Sequence, residues 1–204
     1  MKKAFFYILI ISAFSFATSV TVKKVFGDGG MYVTRVYKTG NFSFGWKIPP
    51  HWTENISPTG NLTLVYMPLE TNVVSLFLTV SPVSLAETKM ESWRVNDLRS
   101  KLIKNRFFNI TDETFSPVDD TKAWLVSGIE TVEVPQTNDT IVLRKIFEKH
   151  SYHINQGYLI HIYFKSPFEL ANKYSKIFNN SLWCFYTVKE ENEKDKYLIR
   201  ISEK

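Results

Sequence analysis

Three histidines lie close together late in the chain. His150 and His153 stand near the end of one extended segment and His161 on the next, across the turn Asn155-Gln156-Gly157. Imidazoles brought together across a hairpin are zinc ligands by type. The spacing argues against that use: His-x-x-His on a strand sends its two side chains to opposite faces. No carboxylate is obviously placed to orient a ligating imidazole either. The expectation is ordinary polar or partly exposed histidines, with no metal and no cofactor.

Other chemistries fare no better. There is no Gly-x-Ser-x-Gly elbow to raise a serine nucleophile and no phosphate loop or dinucleotide fingerprint. Cys184 lies between Trp183 and Phe185, a context for a buried thiol, and as the single cysteine it has no internal disulfide partner. The acid pairs Asp112-Glu113 and Asp119-Asp120 fall in turn regions and read as solvated. Catalytic residues: none. The side chains singled out for binding are Trp46 and Trp52. Trp52 follows Pro49-Pro50 on a loop, where an aromatic ring can stay exposed and mark a contact surface.

The chain of 204 residues has 44% hydrophobic and 15% aromatic content, enough for one domain with a real core. It opens with Met1-Lys2-Lys3, an apolar run from Ala4 to Ala17 and then Thr18-Ser19. A basic start, a short apolar stretch and small residues make an export signal, here residues 1–19 with cleavage near Ser19. The apolar run is shorter than the roughly 20 residues of a spanning helix, so the expectation is an exported protein with no transmembrane segment after cleavage. Loss of Lys2 and Lys3 lowers the formal charge from +5 by two, to +3. Basic residues are scattered among acids, so nucleic acid is not an expected partner. Six Asn-x-Ser/Thr triplets, the first at Asn41, read as loop and turn residues in a bacterial-type exported chain.

Residues 20–30, ending in Gly27-Asp28-Gly29-Gly30, read as a flexible lead-in. From 31 to 204 the pattern is that of a single α+β domain. Alternation at Met31 to Tyr37, and at Phe42, Phe44, Trp46 and Ile48, predicts a hairpin. Strands are predicted at Leu62 to Tyr66 and Val73 to Val80, and a helix from Glu87 to Arg106 with Met90, Trp93, Leu98 and Leu102 on its apolar face. Four extended segments follow, separated by short turns that dictate antiparallel pairing. They run roughly Ile110 to Phe115, Ala123 to Val134, Thr140 to Ser151 and Tyr158 to Lys165. Ser166-Pro167-Phe168-Glu169 reads as a capping box opening a second helix to about Leu182, with Leu170, Tyr174, Ile177 and Phe178 in one stripe. A short strand at Cys184 to Val188 and a charged C-terminal segment from about 189 complete the reading. Two helices on a mostly antiparallel sheet give an α/β/α sandwich.

The stretch Asn41-Phe-Ser-Phe-Gly-Trp-Lys-Ile-Pro-Pro-His-Trp52 resembles the opening of PsbP-like domains. That superfamily includes the extrinsic photosystem II subunit and periplasmic DcrB-like proteins, in which a Phe-x-hydrophobic-x-x-Pro-x-x-Trp strand and turn come early. The succession of elements over residues 31 to 188 is similar too. In one departure, Trp46 stands where a glycine or small residue is expected before the proline pair. The resemblance implies an exported, non-catalytic module that binds a protein partner or assists assembly at the cell envelope. Two alternatives stay open: a carrier of a lipid or other apolar ligand between sheet and helix, and a hydrolase or metal-dependent enzyme. Oligomeric state is not legible.

Overall fold

The computed structural model describes residues 19–27, 30–47, 51–57, 62–84, 86–106, 108–135 and 141–188. The predicted signal segment, except for Ser19, and the charged segment from 189 lie outside the described residues. In chain order the strands are β1 (Ser19–Gly27), β2 (Gly30–Thr39), β3 (Phe42–Trp46), β4 (Trp52–Ser57), β5 (Leu62–Pro68) and β6 (Ser75–Pro82). Helix α1 (Ser92–Arg106) precedes β7 (Phe108–Val118), β8 (Thr121–Pro135), β9 (Ile141–Asn155) and β10 (Tyr158–Pro167). A 3₁₀ turn (Phe168–Leu170) leads into α2 (Ala171–Trp183), and β11 (Tyr186–Thr187) follows.

Seven strands form the main sheet in the order β4-β5-β6-β10-β9-β8-β7, and β1-β2-β3-β11 form a smaller one. Pairing is antiparallel throughout. Strict alternation makes β5, β6 and β10 two-faced: Leu64, Leu76, Leu78, Ile160, Ile162 and Phe164 all point inward to one core. The small sheet contributes Tyr37, Phe42, Phe44 and Trp46 to that core, and α2 contributes Tyr174, Phe178 and Leu182. On the opposite face of the main sheet, α1 lays Val95, Leu98 and Leu102 over Trp124, Val126 and Tyr152. The α+β architecture with helices on both faces is therefore as the pattern of elements requires.

Several local expectations are corrected. The segment read as a flexible lead-in forms β1, with Gly27 opposite Gly30. Its valine-rich sequence suits a strand. Trp52, read as lying on a loop, is instead the first residue of the edge strand β4, paired with Pro68. The strand's central Glu54-Asn55 pair has weak strand propensity. Tertiary bonds hold it instead: Glu54 accepts from Tyr66 Oη at 2.7 Å and from Tyr37 Oη, and pairs with Arg35. Burial raises the pKa of both phenols, so they remain hydrogen-bond donors.

Helix α1 begins at Ser92 rather than Glu87, and Trp93 is 54% exposed, with the Arg94 guanidinium 4.5 Å from its ring. Val95 takes the inward place that the predicted stripe gives to Trp93. The capping box does not form. Ser166 is paired in β10 opposite Phe147, is fully buried, and bonds the Pro167 carbonyl at 3.1 Å. The N-cap position falls one residue later, on Pro167, which has no side-chain donor or acceptor for a capping bond, and a 3₁₀ turn makes the transition.

Candidate functional site

The β9–β10 register sorts the histidines. Period two puts Glu148, His150 and Tyr152 on the α1 face, opposite Lys165, Tyr163 and His161 of β10. His153 falls on the other face, fully buried, edge-on to Phe185 with ring centroids 5.2 Å apart. Neither of its ring nitrogens has a hydrogen-bond partner, and burial lowers its pKa to about 3, so the ring is neutral. The sequence argument that His150 and His153 diverge thus holds.

His150 and His161 do meet. The His150 Nδ1 lies 3.0 Å from His161 Nε2, and His150 Nε2 lies 3.0 Å from Glu148 Oε2. Lys165 Nζ stands 3.4 Å from Glu148 and 3.4 Å from Glu130. The carboxylate that sequence reasoning did not find is Glu148. The signal was Glu-x-His on one strand, which places both side chains on one face.

This chain of groups runs from a fully buried carboxylate to a half-buried imidazole. Phe108 covers His150 edge-on at 5.6 Å between centroids, and it reaches there across Gly128. His161 is stacked on both sides, by Tyr152 at 4.1 Å and Tyr163 at 4.9 Å. The spacing of the two imidazoles is that of a hydrogen bond, shorter than the roughly 3.3 Å between two nitrogens each about 2.0 Å from a tetrahedral metal. Among the described residues no group of three His, Cys, Asp or Glu is arranged to hold a metal ion. The chain can share a proton, but its own rings occupy both flanks of His161.

The two tryptophans proposed for binding lie elsewhere. Trp46 is buried, donating Nε1–H to the Ser181 carbonyl at 3.0 Å and meeting the Tyr66 ring edge-on. It is a core residue because alternation on β3 turns it inward. Trp52 is half-buried, edge-on to Tyr174 at 6.4 Å.

The exposed aromatic surface is instead at the opposite end of α2. Trp183 is 84% exposed on its last turn. It rims a cavity of about 480 Å³ between that turn and the β7–β8 hairpin, with Pro117, Val118, Leu125, Leu182 and Phe185 as its apolar lining. Asp119 and Asp120 both have positive φ, 46° and 60°, as a two-residue hairpin turn of this hand requires. Read from sequence as solvated, Asp119 in fact ties the cavity together. Its Oδ2 accepts from Thr187 N at 2.7 Å and Asn155 Nδ2 at 3.2 Å. On the other side of the hairpin Phe115 is also exposed, beneath the Lys122 ammonium at 4.4 Å. Sequence offers a signal for Trp183 only in retrospect: it falls outside the stripe defined by Tyr174, Ile177 and Phe178.

No family model and no curated protein sequence matches the chain. The solution structure of cyanobacterial PsbP (CyanoP) from Synechocystis sp. PCC 6803 superposes with a TM-score of 0.50 at 12% identity, covering 71% of this chain and 86% of that one. The crystal structure of LpqN, involved in cell envelope biogenesis of Mycobacterium tuberculosis, superposes with a TM-score of 0.51 at 12% identity, covering 83% and 92%. The chain has a PsbP-like fold, as the Asn41 to Trp52 resemblance implies. Among the described residues no helix is long and apolar enough to cross a membrane.

Proposed function

We propose that this chain is an exported, non-catalytic module that binds a protein partner or assists assembly at the bacterial cell envelope. The observation that carries the reading is Trp183, 84% exposed beside a cavity whose β7–β8 wall is tied to β11 and β9 through Asp119. Trp is among the side chains that dominate binding energy at protein interfaces, and the hollow beside this one, apolar in part and lined also by Asp119, Asp120 and Asn179, offers a place for a partner's side chain. The export signal over residues 1–19 and a fold shared with LpqN, a protein involved in cell envelope biogenesis, support the location.

The test is site-specific photo-crosslinking in living cells, with a photoreactive phenylalanine at position 183 and, as control, at exposed Lys101 on α1. The reading expects a discrete adduct with an envelope protein from position 183 and none from position 101. No adduct from 183, or the same adduct from both, counts against it. Native mass spectrometry of the chain from residue 20 is the companion measurement, since a co-purifying lipid would favour the carrier reading instead.

A further inference from the structure

Strands β8 and β9 run past the sheet that contains them. β7 stops pairing with β8 at Phe108↔Glu130, and β10 stops pairing with β9 at Pro167↔Ile146. The pairs from Thr131↔Lys145 to Pro135↔Ile141 continue as a two-stranded arm, about 16 Å long at 3.3 Å per residue. No other described strand pairs with either edge of it. Residues 141–145 are exposed on both faces, including Ile141 at 63% and Leu143 at 64%. An apolar strand with an open edge is a template for pairing with another chain.

We infer that the β9 edge of this arm pairs with the same edge of a second copy, antiparallel about Leu143, to give a twofold dimer. Charge and register select this occupant. In that register Leu143 faces its own symmetry mate, Val142 faces Arg144 and Ile141 faces Lys145, so no like charges are opposed. The β8 edge fails the same test. Self-pairing there sets Glu133 against Glu133, which is destabilising, and Pro135 has no N–H to donate. Pairing β9 with a partner's β8 does not close and would propagate as a fibre. A membrane surface fits less well, because the sequence between the two strands, Gln136-Thr137-Asn138-Asp139-Thr140, is polar and acidic. Five residues per copy make a contact below the roughly 1,200 Å² of stable interfaces, so the association is reversible and weak.

Disulfide trapping reads such a contact directly, because facing Cα atoms in an antiparallel pair lie about 4.5–5.5 Å apart, within disulfide reach. In a Cys184→Ala background, Leu143→Cys and Glu133→Cys are compared under mild oxidation, with circular dichroism confirming that both variants fold. The expected result is a covalent homodimer from Leu143→Cys, monomer from Glu133→Cys, and a several-fold loss of self-association in sedimentation for Leu143→Lys. Monomer from both cysteine variants, equal dimer from both, or exclusive capture of a different protein at position 143 in the envelope overturns the inference.

Discussion

The backbone N–H of Thr187 donates to Asp119 Oδ2 at 2.7 Å, across 68 residues of chain. This bond, with a second from the Thr187 hydroxyl to the same oxygen, joins the turn of the β7–β8 hairpin to β11 and thereby to the small sheet. Asp119→Ala removes both of these together with the bond from Asn155 and puts alanine at a positive φ. The expected loss is about 2–3 kcal/mol in urea unfolding. Asp119→Asn, which tolerates that backbone and keeps an acceptor, should lose about 1 kcal/mol. Equal losses from the two variants would show that charge, not the acceptor, matters.

His153 makes stability depend on pH. Its folded pKa, about 3, lies below the ordinary value of 6.5 because burial disfavours the charged ring. The unfolded chain therefore takes up a proton that the folded chain refuses. The stabilisation is complete above pH 6.5 and falls away as the pH drops toward 3, by about 1.4 kcal/mol per pH unit. His153→Leu should flatten this part of the profile in unfolding measured between pH 6.5 and 4.5. An unchanged slope would assign the acid sensitivity to other groups.

Gly128 is required by packing rather than by backbone conformation. A Cβ there would stand 2.5 Å from the Asn109 carbonyl oxygen and 2.6 Å from the Phe108 ring. Backbone cannot rotate away, so Gly128→Ala should destabilise by about 2–4 kcal/mol. Phe108→Ala in the same chain relieves only the ring clash, so a double-mutant cycle should show partial, not full, recovery. Full recovery would mean that the Asn109 backbone yields.

The tryptophans separate folding from binding. Trp46→Ala should cost about 3–5 kcal/mol, because it empties a core site and orphans the Ser181 carbonyl. Trp183→Ala should change unfolding by no more than about 0.5 kcal/mol, since the ring is 84% exposed. In the envelope it should nonetheless weaken partner capture at the β7–β8 hairpin at least tenfold. A large stability loss at Trp183 would make it a structural residue and remove the main support for the binding reading.

What the sequence determined by itself was whatever depends on periodicity. Alternation along Leu62 to Pro68 and Tyr158 to Pro167 names those strands and their buried faces, because side-chain direction on a strand repeats every two residues. The stripe Leu170, Tyr174, Ile177 and Phe178 names the buried face of α2 in the same way. Local composition failed where distant partners supply the energy. β4 carries the weak strand formers Glu54 and Asn55 at its centre and is held because β5 pairs with it and Glu54 bonds Tyr37 and Tyr66. The tertiary structure alone decided the Glu148–His150–His161 chain and the placing of Trp46 inside and Trp183 outside. Each of these depends on which residue of another element lies opposite. That is set by strand register and layer packing, and a single stretch of sequence does not contain it.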